Sequence, residues 1–276
     1  MKPCLTLVVL GAALLLAGCA LRGEEEAATS TRSDDSGLLV GAAAATADAG
    51  SSRVFVEASV GGQSFTGEGA YDYRADRGHL TLDLAALGAG LGEVELVFAD
   101  HVVYYRLPAE MGPLAGDKSW VKIDLEALGK ASGSNLDALA QGNQTDPGQY
   151  LRWLKATGAD VEEIGTESVR GVETTHYRAS VDLDKVVETA APEVRGATRA
   201  WIDRLKSELD SDVVPIDVWV DGDGLVRRIR QEYEIRDTKT EITLELYDFG
   251  VEVDAKAPPP DDVVDLGDLL EGGFGS

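Results

Sequence analysis

Ser52-Arg53-Val54-Phe55-Val56-Glu57-Ala58-Ser59-Val60-Gly61-Gly62 puts Val54, Val56, Ala58 and Val60 on one side of an extended chain. A period of two is the mark of a half-buried strand, and the Gly-Gly pair supplies the positive φ angles that a two-residue hairpin needs. The same rhythm recurs downstream. Leu80, Leu82 and Leu84 alternate with Thr81 and Asp83, Val94, Leu96 and Phe98 alternate with Glu93, Glu95 and Val97, and Val121, Ile123 and Leu125 stand opposite Lys122 and Asp124. His101 to Leu107 is apolar on both faces, the pattern of a strand covered on each side.

Beyond the polar, glycine-rich break from Ser132 to Pro147 the pattern turns helical. Tyr150, Leu151, Trp153 and Leu154 predict a short amphipathic helix over Gln149 to Thr157, closed by Gly158. Val161 to Val169 and Glu173 to Leu183 then read as a hairpin about Arg170-Gly171. Val194, Ala197, Trp201, Leu205 and Leu209 repeat at helical spacing and predict the longest helix. Pro215 to Val220, Leu225 to Ile235 and Thr240 to Val253 form a three-strand meander, stopped by Pro258-Pro259-Pro260, with an acidic surface tail after it. Near the amino terminus, Leu38 to Ala49 is alanine-rich and predicts a helix suited to close packing on a flat surface.

These patterns add up to an α+β fold: a curved antiparallel half-barrel sheet of about ten strands, with a few helices covering the concave face. A sheet of that size presents more apolar area than three modest helices can cover. With 6% aromatic residues, the side chains available to plug the gap are small. The expected consequence is an apolar hollow lined by Val56, Leu82, Leu96, Phe98, Ile123, Leu244 and Leu246, against the alternative of a closed sandwich or barrel with a filled core.

Leu16-Ala17-Gly18-Cys19 follows Lys2 and an apolar run from Leu5 to Leu16 that is too short to span a bilayer and the right length for an export signal. Small residues before a cysteine match the bacterial lipobox, in which the thiol takes a diacylglyceryl group and further acylation, by palmitate for example, completes the anchor. Residues 1–18 are thus expected to be a removed signal peptide and 19–36 a lipidated flexible linker. A single domain is expected over 37–266, and a flexible tail over 267–276. Cys4 leaves with the signal and Cys19 carries lipid, so neither is left for a disulfide, a metal or a nucleophile.

The chain has 25 Lys and Arg against 49 Asp and Glu, a net charge of −24, and loss of Lys2 deepens it to −25. Nucleic acid and anionic headgroups are both repelled by such a surface, so lipid rather than charge must hold the protein at a membrane.

Chemistry-bearing motifs are sparse. Asp221-Gly222-Asp223-Gly224 lacks the further ligands of a calcium loop and reads as a hairpin turn. Neither His79 nor His101 has a His or Cys at ligand spacing, and there is no G-x-S-x-G elbow or phosphate loop. No enzyme and no cofactor are expected. His176 and Tyr177 point to opposite faces of one strand and read as structural.

Gly171-Val172-Glu173-Thr174-Thr175-His176-Tyr177 followed by Val181-Asp182 resembles the strand signature of the LppX/LprAFG family of actinobacterial lipoproteins, which are similar in architecture to the LolA carriers. Trp120 to Asp124, Pro215 to Asp221 with Gly224 to Arg227, and Pro258 to Leu266 fall in the same order as in that family. The resemblance implies a membrane-anchored extracytoplasmic lipoprotein with a half-barrel that holds acyl chains of lipids or lipoglycans, and envelope transport proteins as partners. The alternative is an anchored protein-interaction or sensory lipoprotein without cargo. Residue by residue, only Cys19 carries over.

Overall fold

A computed structural model describes residues 34–87, 92–99, 102–107, 116, 118–124, 161–190, 195–209, 211–235 and 238–267. Cys19, the signal segment, most of the expected linker, the 149–157 helix and the 268–276 tail lie outside the described residues.

Helix α1 (Asp34–Asp48) leads into β1 (Ser51–Val60), β2 (Gln63–Asp72), β3 (Arg77–Asp83), β4 (Glu93–Ala99), β5 (Val102–Arg106) and β6 (Trp120–Asp124). Then come β7 (Val161–Val169), β8 (Val172–Asp182), α2 (Leu183–Thr189), α3 (Arg195–Leu209), β9 (Val213–Asp221), β10 (Val226–Ile235), β11 (Thr238–Tyr247) and β12 (Val263–Asp265). The twelve strands make one open sheet in the order β12-β6-β5-β4-β3-β2-β1-β11-β10-β9-β8-β7. All pairs are antiparallel except β12 with β6. An open α+β sheet, and not a closed barrel, is therefore what the described residues form.

The hairpins follow from backbone chemistry. Gly61 and Gly62 sit at φ of 58° and 83°, the two positive angles that the β1–β2 turn was expected to need. At the β7–β8 turn Arg170 takes 49° and Gly171 82°. The Asp221 carboxylate accepts from the Asp223 and Leu225 N–H groups at 3.0 and 2.9 Å and holds Arg227 at 2.5 Å. Both its oxygens are thus engaged in the turn and its neighbour, as a hairpin reading requires.

Five expectations need correction. The supposed surface tail is paired, because Val263–Asp265 adds a twelfth strand among the described residues at the edge of β6, which would otherwise stay open. The β5 strand lies third from that edge, and apart from Val103 its residues are half-buried or exposed. Strand β8 stops at Asp182, whose side chain accepts from the Asp184 and Lys185 N–H groups and so starts a helix, α2, that periodicity did not predict. Strand β11 ends at Tyr247, where Asp248 and Gly250 turn the chain at positive φ. Finally, α1 begins at Asp34, inside the span expected to be linker.

Helix α1 rests on β7, β9 and β10 through its small face, where Leu39, Ala42, Ala43 and Ala47 are buried. Helix α3 packs on β10 and α2 on α3. Within α3, Ile202 is fully buried, with Leu205 and Leu209 partly so. The side chains of Ala197 and Trp201 lie outside those described.

Thr46 fastens α1 to the sheet. Its hydroxyl donates to the Ala42 carbonyl at 2.7 Å and accepts from the Val226 N–H at 2.9 Å, where the β9–β10 ladder changes register. Thr46→Val keeps the volume and strands a buried N–H, which costs about 1–3 kcal/mol. A denaturant midpoint lowered to match is the expected result, and an unchanged midpoint would show that water replaces the hydroxyl.

Candidate functional site

The helix-covered face is assembled by register. Val56 pairs with Leu244 on one side and Gly67 on the other, Gly67 with Leu82, and Leu82 with Val94. One row along, Val54 joins Leu246 to Gly69, Gly69 joins Leu80, and Leu80 joins Leu96, which faces Tyr105. Phe98 meets Val103, and Val103 meets Ile123. All seven candidate residues therefore share one face. Six are buried members of a single apolar cluster, and Ile123 is half-buried against it. The cluster runs across the sheet to Tyr177, Ala179, Ile216, Val218 and Val220, with Leu39 of α1 on top.

Close approach within the sheet depends on glycine. A Cβ at Gly67 would meet Leu82 Cδ2 at 2.5 Å, and one at Gly78 would meet Tyr71 Cδ2 at 2.5 Å. One at Gly69 would fall inside the His79 carbonyl oxygen and 2.9 Å from Leu80 Cα. The leucines of β3 thus fold over the bare backbone of β2.

Few polar groups reach this face. Tyr73 and Ser52 share a hydrogen bond of 2.5 Å. Tyr105 and Tyr233 are packed against the cluster at opposite sides of the sheet, and burial pushes both phenols above their ordinary pKa, so both are neutral. An apolar, uncharged surface of this kind offers dispersion and hydrophobic contact and nothing to hold an ion.

A slot of about 290 Å³ opens between α1 and the turn end of β8 and β9. It is lined by Leu38, Gly41, Ala42 and Ala45 on the helix and by Thr175, Tyr177, Val220, Asp221, Gly222 and Gly224 on the sheet. None of the seven candidate residues reaches it, but Ala42, Tyr177 and Val220 belong both to its wall and to the cluster. Periodicity missed α1 as a wall because its small residues leave little amphipathic contrast. The Ala-rich run was the available signal.

The opposite face is polar, and at β8, β9, β10 and β11 its charges are paired with one another. His176 stacks on Trp219 at 4.2 Å and hydrogen-bonds Asp217 at 2.7 Å, and Arg178 grips the same carboxylate at 2.9 and 3.2 Å. Arg170 and Arg228 both bind Glu245, with Arg170 also 4.1 Å from the Tyr247 ring centre. His176 is thus a structural side chain on the outer face, with Tyr177 on the inner one. Among the described residues no three His, Cys, Asp or Glu side chains could hold a metal ion, and no helix is long and apolar enough to cross a membrane.

No protein-family model matches the chain. A 31.2 kDa Streptomyces griseus protein from the rplA-rplJ intergenic region is 29% identical over 194 residues, 69% of this chain and 62% of that protein. A Streptomyces coelicolor protein whose name gives it provisionally as a lipoprotein is 28% identical over 187 residues, 66% of this chain and 54% of that one. The matched region therefore spans less than two thirds of either relative. Solved structures similar to this one include Mycobacterium tuberculosis lipoprotein LppX, with 14% identity, 79% of this chain and 98% of that one covered and a TM-score of 0.47. LprF of Mycobacterium bovis follows at 12% identity, 82% and 97% coverage and a TM-score of 0.43.

Proposed function

We propose that this chain is a lipid-anchored lipoprotein of the cell envelope that binds the acyl chains of a lipid or lipoglycan against the helix-covered face of its sheet. The observation that carries the reading is the apolar cluster extending from β5 to β8 across one face of an open sheet, with a slot at its α1 margin. The lipobox at Cys19 and the name of the Streptomyces coelicolor relative support the anchor. Binding draws on burial of methylenes at about 0.8 kcal/mol each, so every two that a tail adds tighten the complex by roughly tenfold. The neutral tyrosines packed against the cluster suit a hydrocarbon guest. The protein acts as a carrier or holder and performs no reaction on its cargo.

Solvent extraction of the purified protein followed by mass spectrometry is expected to release about one lipid per chain, while the covalent anchor stays with the polypeptide. A fluorescent fatty acid should bind saturably. Gly41→Phe, whose ring enters open space at the slot, should weaken that binding at least about fivefold with an unchanged circular dichroism spectrum. Absence of both extractable lipid and fatty-acid uptake would leave the cargo-free alternative, a partner-binding or sensory lipoprotein, as the better reading.

A further inference from the structure

The chain after β11 does not return to the helix-covered side. Residues Val251, Val253 and Ala255 pack with Ala70 of β2, on the polar side of the sheet, and the strap then reaches β6 to add β12. It is held at its far end by the Ser119 N–H, which donates to Asp262 at 2.9 Å, and by Lys118 on the Asp261 carbonyl.

Between strap and sheet lies a groove of about 460 Å³, lined by His79, Glu95, Val97 and Trp120 below and by Asp254 to Pro259 above. This volume lies within the range of small-molecule sites, and the groove sits on the face opposite the acyl-binding surface. Its composition says what it suits. The charges cancel in pairs, with Asp254 on Lys256 at 2.7 Å and Glu95 on Arg106 at 2.8 Å, so a charged ligand would have to break a pair to gain one. The lower wall carries an indole, and the upper wall carries alanine and proline surfaces. The His79 ring lines the groove, and its Nδ1, buried, has no hydrogen-bond partner among the described residues. A buried polar atom without a partner calls for one.

We propose that this groove is a second binding site, for an uncharged carbohydrate. The C–H face of a pyranose or furanose ring lies against the negative face of an aromatic ring such as Trp120, and its hydroxyls donate to Glu95 or Asp254 and exchange hydrogen bonds with His79. No acyl chain is required. The site would hold the protein to envelope polysaccharide, or hold a sugar supplied with another molecule, independently of what occupies the helix-covered face.

Calorimetric titration of the full chain in detergent with trisaccharides of mannose, arabinose, galactose and N-acetylglucosamine tests it, with glucuronic acid as the anionic control. At least one neutral sugar is expected to bind, about tenfold or more weaker in both Trp120→Leu and His79→Ala, and equally well in Gly41→Phe on the opposite face. Because Trp120 also pairs with β12, His79→Ala and Glu95→Gln decide the matter if Trp120→Leu is unstable. The proposal is overturned if no neutral sugar binds, if only glucuronic acid does, or if His79→Ala and Glu95→Gln leave binding unchanged. Failure here leaves the acyl-chain reading untouched, because that reading rests on extractable lipid.

Discussion

Gly69→Ala is expected to cost about 4 kcal/mol or more, enough to put most of the protein in the insoluble fraction. The added methyl has no rotamer to choose. It would overlap the His79 carbonyl oxygen and crowd Leu80 Cα, both backbone atoms, so relief requires β2 and β3 to separate where Gly69 pairs with Leu80. That separation breaks the row running from Leu246 through Val54 to Leu96, and with it the apolar face. Gly222→Ala is the control: it sits in the β9–β10 turn with open space around its Cβ, and it should change stability by less than about 0.5 kcal/mol. Denaturant midpoints of the two variants check the pair. Equal midpoints would mean that the close packing of β2 on β3 is not what holds the sheet.

The contrast between those glycines marks how far a sequence can be read. The period of two at Val54 to Val60 and the Gly61-Gly62 pair are local signals, so strand, face and turn were all legible there. The seven apolar candidates fell on one face for the same reason: alternation fixes the side, and antiparallel pairing then aligns Val56 with Leu244 and Leu82 across Gly67. Gly67, Gly69 and Gly78 carried no such message, because their role depends on which strand lies opposite. The three-residue β12 was invisible for a related reason. Two valines favour an extended chain but are too few to read as a strand, and what fixes the pairing is the Ser119 N–H on Asp262, 143 positions apart. Helix α2 is only seven residues long, below the length at which periodicity speaks. Its Asp182 cap lies at the end of a stretch, Glu173 to Leu183, whose pattern reads as strand.

The groove under the strap shows the same limit at the level of function. His79 and Trp120 are 41 positions apart and Asp254 is farther still, so no motif joins them. What brings them together is a strap whose path is set by small contacts: Ser51 Oγ donating to the Val251 carbonyl at 2.5 Å, and Ala70 against Val253 and Ala255. A face read from the sequence as merely polar thus holds a concavity with its charges paired off.

Cys19→Ala should transfer the protein almost completely from the membrane fraction to the soluble extracytoplasmic fraction. The size of the effect follows from elimination. At a net charge of −24, and of −25 if Lys2 leaves with the expected signal segment, electrostatics oppose adsorption to anionic lipid. One acyl chain binds membranes only marginally, whereas two or more anchor stably, so the diacylglyceryl thioether expected at Cys19 carries nearly the whole association. High salt should accordingly leave the wild type in place, because screening does not weaken burial of hydrocarbon. The released variant also separates anchoring from cargo. If it folds and still takes up fatty acid, the apolar face acts without the tether, and the tether sets only how near to a membrane the exchange happens. Recovery of Cys19→Ala in the membrane fraction at the wild-type level would instead mean that another surface holds the protein there, and the lipobox reading would fall.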